Sequence, residues 1–131
     1  MNTETVMECM KLSFADTPFP AVVQKLAGAG VRTYTDDLLK LRSTYYGAVR
    51  DALDEPMPLT EGPMVAERFD GNAVADAVHA IQRGEIGYAQ FLRLIMRAGC
   101  ASYRVFIGGR KAMYFGRDGE FYTEPFPAQA A

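Results

Sequence analysis

The spacing of apolar residues predicts two helices in each half of the chain. Residues 2–14 and 72–83 carry apolar side chains three or four positions apart, which is the pattern of a helix with one buried face. A second helix follows each of them, at 18–30 in the first half and at 87–99 in the second. The pattern therefore predicts four helices that occur as two pairs.

Capping residues set the expected ends of these helices. Thr17 is the predicted N-cap of the second helix, whose first position is a proline, and Asn72 is the predicted N-cap of the third. Gly30, Gly84 and Gly99 each follow the last apolar residues of a helix. Glycine takes the left-handed conformation at a helix end without steric cost, so we expect three helices to stop there.

Short alternating segments after each second helix predict three strands in each half. The connections in the second half contain Gly-Gly and Asp-Gly, which are strong hairpin signals. Two prolines close the third strand of each half, and proline cannot donate to a strand ladder, so these strands should end there or lie at an edge. The predicted strands are 31–35, 40–46, 52–57, 100–107, 110–116 and 120–126.

The chain matches itself at an offset of 69 residues. Aligned without gaps, Phe19–Pro58 and Tyr88–Pro127 share eight identities in forty positions. Unrelated segments of average composition would share roughly two or three. The sequence therefore predicts a single α+β domain, residues 1–131, built from two tandem helix-helix-strand-strand-strand repeats with approximate internal two-fold symmetry.

The expected boundaries place the first repeat at about 2–58, a linker at about 59–70 and the second repeat at about 71–127. Neither half should be stable alone, because about 60 residues bury too little surface. The sequence leaves open whether the two three-strand units form one sheet or two.

Several segments resemble a known family. They are the Tyr-Tyr-Gly motif at 45–47, the run RFDGNAVADAVHAIQRGEIGYAQFLRLIMRAGCASYRV and the closing YFGRDGEFYTEPFP. In these segments the chain resembles the YdfO/YbcV-like family of small bacterial and prophage-encoded proteins of unknown function. The resemblance covers nearly the whole chain. It implies no catalytic residue, because the family supplies none.

Composition narrows the class of protein. The chain has 131 residues, of which 49% are hydrophobic and 23% charged, with a net charge of −2, so we expect one globular domain without general affinity for nucleic acid. We expect no secretory signal, no membrane span and a cytoplasmic location. Two cysteines and one histidine exclude a disulfide scaffold and a four-ligand zinc site, and we expect no metal or cofactor.

Residues 86–117 contain six basic residues and no acidic residue. Interleaved with aromatic residues, such a run resembles a platform for single-stranded nucleic acid. Two of the arginines are predicted on a helix and the others on or near strands, so the basic residues need not share a surface. We therefore do not expect nucleic acid as a partner. The basic residues are Arg93, Arg97, Arg104, Arg110, Lys111 and Arg117.

The matched aromatic residues define a candidate ligand pocket at the seam between the repeats. Arg42 or Arg110 would be an anion anchor in such a pocket, and core packing is the alternative role of the aromatic rings. The tyrosines of this candidate pocket are Tyr34, Tyr45, Tyr103 and Tyr114.

Glu55 and Glu124 are candidate paired acids, because the repeat places each of them before a strand-ending proline. Across a cleft, two carboxylates can act as acid and base or bind a cation. The alternative is that each is a solvent-facing residue that protects a strand edge. His79 follows Asp76 by three residues on a helix, which we interpret as a solvated surface pair.

Cys9 and Cys100 are interpreted as core residues. Cys100 matches Val31 at the 69-residue offset, which indicates a small buried side chain, and neither a helix N-terminus nor nearby cations would depress the pKa of Cys9. No residue is assigned a catalytic role. The first functional interpretation is a non-enzymatic protein-interaction module of bacterial or prophage origin that self-associates. The alternative is a small-ligand-binding protein with the aromatic pocket, and a second alternative is an enzyme that uses Glu55 and Glu124.

Overall fold

Four helices occur in two pairs in the described part of the chain, as the apolar spacing predicts. The computed structural model describes residues 1–59 and 61–127. The helices are α1 (Thr3–Phe14), α2 (Phe19–Gly28), α3 (Gly71–Gln82) and α4 (Tyr88–Arg97). The three predicted glycine stops are confirmed, because Gly30, Gly84 and Gly99 follow α2, α3 and α4 with φ angles of 93°, 72° and 85°.

Two predicted helix caps are wrong. Pro18 rather than Thr17 is the N-cap of α2, and it makes no side-chain capping hydrogen bond. Asp70 rather than Asn72 is the N-cap of α3, and its Oδ1 accepts a hydrogen bond from the backbone N–H of Ala73 at 3.0 Å. Asp70 lies two residues earlier because α3 begins at Gly71, a residue that the apolar spacing does not include.

Among the residues that the structure describes, six strands form one antiparallel sheet, which answers the question that the sequence leaves open. The spatial order is β3-β2-β1-β4-β5-β6, so the two three-strand meanders join through β1 and β4 at the centre of the sheet. The strands are β1 (Thr33–Asp37), β2 (Arg42–Tyr46), β3 (Ala52–Pro56), β4 (Cys100–Phe106), β5 (Lys111–Gly116) and β6 (Phe121–Pro125).

The first two strands begin two residues later than predicted. After Gly30, the backbone N–H of Val31 still donates to the carbonyl of Leu26 at 3.0 Å, so Val31 completes the end of α2. Leu41 has a φ of 57° and belongs to the turn before β2. Both strands therefore start only after these backbone reversals are complete.

The core lies between the helices and one face of the sheet. Along the four central strands, buried residues alternate with half-buried or exposed ones, except that Cys100 and Ala101 at the start of β4 are both buried. Val6, Leu26, Leu92 and Ile95 from the helices are at most 1% exposed. The strand residues on this buried face are Tyr34, Asp36, Ser43, Tyr45, Ala101, Tyr103, Val105, Ala112 and Tyr114.

The predicted linker packs against the end of α4. The backbone N–H of Ala66 donates to the carbonyl of Met96, and that of Asp70 donates to the carbonyl of Ala98. Leu59 and Val65 are buried in the core. In the described part of the chain, no helix combines the length and the apolar character needed to cross a membrane.

Candidate ligand-binding cavity

A cavity of about 540 Å³ lies between the helices and the buried face of the sheet. Its wall includes residues from α1, α2 and α4 and from the strands of both halves. All four tyrosines of the predicted aromatic pocket lie in this wall, namely Tyr34, Tyr45, Tyr103 and Tyr114. The structure thus brings together residues that the sequence separates by up to 80 positions.

Strand register fixes these tyrosines as two neighbouring pairs. Tyr34 lies opposite Tyr45 in the β1·β2 ladder, and their ring centroids are 5.5 Å apart. Tyr103 lies opposite Tyr114 in the β4·β5 ladder, with stacked rings 5.1 Å apart. Phe91 of α4 packs edge-on against both Tyr103 and Tyr114, so the second pair is held from the helix side as well.

A buried carboxyl group lies in the same wall. Asp36 is 1% exposed and lies opposite Tyr103 in the central β1·β4 ladder. Ser43 Oγ donates to its Oδ1 at 2.5 Å, and Tyr88 OH donates to its Oδ2 at 3.0 Å. The hydroxyls of Tyr88 and Tyr103 are also hydrogen-bonded to each other. We call Asp36, Ser43, Tyr88 and Tyr103 the acid–hydroxyl cluster.

Burial changes the proton affinity of this cluster. Loss of solvent raises the pKa of Asp36, and the hydrogen bonds from Ser43, Tyr103 and Tyr88 offset that effect only in part. Burial, followed by the nearby Asp36, raises the pKa of Tyr88 and Tyr103 well above the ordinary value for tyrosine. The two tyrosines therefore stay protonated at neutral pH and can donate hydrogen bonds.

Three further acids line the cavity near its opening, and each has a polar partner. Asp16 accepts a hydrogen bond from the backbone N–H of Tyr88 at 2.9 Å. Glu85 forms a two-point contact with the guanidinium of Arg83, at 2.8 and 2.9 Å. Glu124 accepts from the hydroxyl of Tyr122, and its Oε1 lies 3.1 Å from Nε2 of His79.

The two predicted anion anchors do not line the cavity. Arg42 is the first residue of β2, next to Ser43, which lines the cavity, and its Nε is 3.1 Å from Oδ2 of Asp54. Arg110 lies in the β4–β5 turn, where its guanidinium is 5.5 Å from the ring centroid of Phe126. Strand alternation turns Arg42 away from the cavity, and the turn leaves Arg110 outside the wall.

The structure does not bring Glu55 and Glu124 together. Glu55 is on β3 and Glu124 on β6, which are the two opposite edges of the sheet. Five strand spacings separate them, or roughly 24 Å. The 69-residue offset does relate the two positions, but the two meanders join at their first strands, so their third strands, β3 and β6, lie farthest apart. Glu124 lines the cavity near its opening without a second carboxylate of β3 beside it.

His79 lies on the protein surface, and the two cysteine thiols lie in the core. His79 is exposed on α3 and contacts Glu124 rather than Asp76. Cys9 and Cys100 are free and buried, as the core interpretation predicts. Burial raises the pKa of the Cys100 thiol to about 12, so it carries almost no thiolate at neutral pH.

The basic residues between 93 and 117 do not form one surface. Arg93 Nε donates to the carbonyl of Glu61, and Arg117 donates to the carbonyl of Val65, so both bind the segment before α3. Arg104 instead lies over the rings of Tyr46 and Phe106 on the sheet face away from the helices. Arg104 therefore does not share a surface with Arg93 and Arg117.

Sequence reasoning missed Asp36, Ser43 and Tyr88. A signal for the first two is visible in the alternation of the strands, because Asp36 lies two residues after Tyr34 and Ser43 two residues before Tyr45. If the tyrosines face the interior, these polar residues must as well. At the 69-residue offset, Asp36 matches Val105 and Ser43 matches Ala112, so only the first half carries the polar pair.

In the described residues, no group of three or more histidine, cysteine, aspartate or glutamate side chains is arranged to hold a metal ion. The polar atoms in the cavity wall are carboxyl and hydroxyl groups together with the side-chain amides of Gln82 and Gln90. This wall can bind an apolar body by burial and a polar group by hydrogen bonding.

Comparison with known proteins finds one family and several relatives. The family model described as "Protein of unknown function (DUF1398)" matches residues 15–125. "Uncharacterized protein Rv2012" of Mycobacterium tuberculosis is 34% identical over 110 residues, which cover 84% of this chain and 67% of that protein. "Uncharacterized protein Mb2035" of Mycobacterium bovis matches with the same identity and coverage. The family match includes every residue of the acid–hydroxyl cluster.

Proposed function

This chain belongs to the DUF1398 family of proteins of unknown function, and we propose that it binds a small molecule in its internal cavity. The observation that carries the proposal is the convergence of a buried acid–hydroxyl cluster with apolar and aromatic side chains in one cavity of about 540 Å³. Small-molecule sites are typically of this volume, mostly apolar, and contain a few polar groups that orient the ligand.

The free-energy cost of burying the acid–hydroxyl cluster supports a ligand-binding role for it. Burying a carboxyl group costs free energy, and a core of fixed shape would be more stable with apolar residues at Asp36 and Ser43. The second half carries such residues, Val105 and Ala112, at the matching positions. The polar pair in the first half therefore has a cost that recognition of a ligand would explain.

Binding of a neutral apolar dye tests the proposal. We expect N-phenyl-1-naphthylamine, which is uncharged at neutral pH, to bind saturably with increased fluorescence. Ala112→Phe places a large side chain in the cavity and should abolish binding, because Ala112 lines the wall. Met113→Phe is the matched control, since Met113 is the next residue of β5 and faces the opposite side of the sheet.

Native mass spectrometry of the gently purified protein provides a second readout. A reproducible added mass, absent from Ala112→Phe, would support the cavity as the binding site. If the dye does not bind saturably and no mass is retained, the proposal fails. Equal dye binding by Ala112→Phe and the wild type would also contradict it, because the dye would then bind elsewhere.

The internal repeat is a second proposal, and two backbone observations support it. In the central ladder, Thr35 lies opposite Arg104, and these two residues are equivalent at the 69-residue offset, as a two-fold axis between β1 and β4 requires. Positive φ angles also recur at that offset, at the pairs 30/99, 41/110 and 50/119. The repeat would place the cavity at the seam of two related halves. Failure of the two halves to superpose would contradict it.

Self-association, the first function that the sequence predicts, stays a prediction. In the described part of the chain, β3 and β6 each pair on one side only, and such edges can add a strand from a second copy. The mass spectrum that tests the cavity also reports the number of subunits, and a monomer at micromolar concentration would contradict self-association. The cytoplasmic location, the prophage origin and the narrower YdfO/YbcV-like naming likewise stay predictions.

A further inference from the structure

We infer that the cavity takes an organic cation, an ammonium group on an apolar or aromatic body, with Asp36 as its counter-ion. The inference rests on the proposed function, because it names the class of ligand for the same cavity. It follows from the distribution of charge in the wall. The wall contains four acids and no lysine, arginine or histidine among the described residues that line it, the acids being Asp16, Asp36, Glu85 and Glu124.

Asp36 differs from the other three acids in its depth and its partners. Asp16 caps the first turn of α4, Glu85 contacts Arg83, and Glu124 contacts His79. Asp36 is the only one of the four that is buried, and among the described residues no basic side chain is within ion-pair distance of it. Its partners are hydroxyl groups, which donate hydrogen bonds but supply no positive charge.

The basic residues around the opening already have contacts of their own. Arg83 pairs with Glu85 on the surface, and His79 pairs with Glu124. Arg110 lies over the ring of Phe126 and donates to the carbonyl of Pro127. None of the three lines the cavity, so the positive charge that Asp36 lacks would come from the ligand.

Desolvation sets the order of preference among ligand charges. An ammonium group entering this cavity loses water, and a hydrogen-bonded ion pair with Asp36 offsets that loss. A neutral ligand of the same shape gains only from burial of its apolar body. An anionic ligand would lose water and would meet four acids but no basic residue among the described residues of the wall. The expected order of affinity is therefore cation, then neutral, then anion.

The aromatic wall adds to the preference for a cation. Tyrosine rings attract a cation that lies over their faces within about 6 Å, and this attraction is larger in a desolvated site. Tyr88 and Tyr103 lie beside Asp36, and Tyr34 and Tyr45 line the same cavity. The cavity that contains Asp36 therefore also contains these four tyrosine rings, whose faces attract a cation that lies over them.

Three compounds of similar shape and different charge test the inference. They are 4-phenylbutylamine, 4-phenylbutan-1-ol and 4-phenylbutyrate, titrated into the wild type by calorimetry at neutral pH. We expect the amine to bind at least about tenfold more tightly than the alcohol, and the butyrate more weakly than either. In Asp36→Asn the amine and the alcohol should bind within about threefold of each other. Asp54→Asn removes an exposed acid on the other sheet face and should keep the wild-type preference.

The outcomes separate this inference from the proposed function. If the alcohol binds in the cavity and the amine binds no better, the cation preference is wrong while small-molecule binding stands. If the butyrate binds most tightly, the charge argument is also wrong. If none of the three compounds binds and the neutral dye does not bind either, the proposed function itself fails. The wild-type ratio decides the inference even if Asp36→Asn does not fold.

Discussion

The hydroxyl of Tyr88 donates a hydrogen bond to the carboxyl group of Asp36 at 3.0 Å and so joins helix α4 to strand β1. The two residues are 52 positions apart and belong to different halves of the chain. The backbone N–H of Tyr88 also donates to Asp16, in the connection between α1 and α2. One residue of the second half thus binds two acids of the first, one at the cavity opening and one at its buried end.

Tyr88→Phe should destabilise the protein by about 1 to 3 kcal/mol, because it removes a hydrogen bond to a buried acid and keeps the ring. The edge-on packing of the ring against Phe14 would be retained, so the loss reports the hydroxyl. Urea denaturation measures the free energy of unfolding. Tyr46→Phe is the control, because Tyr46 is exposed on the other sheet face. Equal stabilities of Tyr88→Phe and the wild type would contradict the hydrogen bond.

Asp36→Asn should change how stability depends on pH. Burial raises the pKa of Asp36 in the folded protein above 3.8, so the folded state binds this proton more tightly than the unfolded state. The resulting contribution to stability is fully present below the unfolded pKa and is lost as the pH rises through the folded pKa. Asparagine does not titrate, so the stability of Asp36→Asn relative to the wild type should increase across that window.

The measurement is urea denaturation of both proteins at a series of pH values that begins at 3.8, the ordinary pKa of an aspartate, and extends past neutral. Between the unfolded and folded pKa values of Asp36, the difference in unfolding free energy should grow by about 1.4 kcal/mol per pH unit and then become constant. In Ser43→Ala the loss of stability should be larger and should continue to a higher pH, because the hydrogen bond from Ser43 lowers the folded-state pKa of Asp36. A difference that stays constant or falls with pH would contradict the raised pKa.

Most helices and strands of the fold could be predicted because each depends on the spacing of residues within a short segment. Apolar spacing identified the four helices, and alternation with glycine turns identified the six strands within about two residues. The match at an offset of 69 residues grouped four tyrosines as a candidate pocket, and all four line the cavity, namely Tyr34, Tyr45, Tyr103 and Tyr114. These features depend on neighbours in the sequence, or on the repetition of one pattern.

The parts that could not be predicted depend on tertiary contacts. Glu55 and Glu124 lie at opposite edges because β1 and β4 pair at the centre of the sheet. Neither the apolar spacing nor the alternation along the strands contains that pairing. Tyr88 has its role because α4 packs on β4, the neighbour of β1, from where the Tyr88 hydroxyl reaches Asp36. The sequence counterpart of Tyr88 at the 69-residue offset is Phe19, which has no hydroxyl. Repetition highlights what the halves share, whereas the polar cluster consists of residues in which they differ.

The N-cap of α3 is Asp70 in the structure, whereas the sequence pattern predicts Asn72. The stabilities of two variants distinguish these assignments. Asp70→Ala should cost about 1 kcal/mol, because Asp70 Oδ1 satisfies the backbone N–H of Ala73 at the first turn of the helix. Asn72→Ala should change stability by less than about 0.5 kcal/mol, because Asn72 is an exposed residue within α3. Thermal unfolding of both variants decides between the two caps, and a larger loss for Asn72→Ala would favour the sequence-based assignment.

Gly99 is the helix stop at which a side chain should be most damaging. Its φ is 85°, and a Cβ added there would lie 2.0 Å from the carbonyl oxygen of Arg68. That oxygen belongs to backbone next to Asp70, whose N–H donates to Ala98, so the segment before α3 would have to move. The conformational strain alone costs about 1 to 2 kcal/mol, and the steric overlap should add about 1 to 3 kcal/mol.

Gly84 is the matched control for Gly99→Ala. It ends α3 with a similar φ of 72°, but a Cβ there would meet no atom within 4 Å. Gly84→Ala should therefore lose only the strain contribution of about 1 to 2 kcal/mol. Urea denaturation measures the free energy of unfolding of the two variants. Equal dependence of that free energy on urea concentration would show that the cooperativity of unfolding is unchanged. Equal losses would mean that the segment before α3 does not pack against α4 as tightly as the structure has it, because only that contact distinguishes the two glycines.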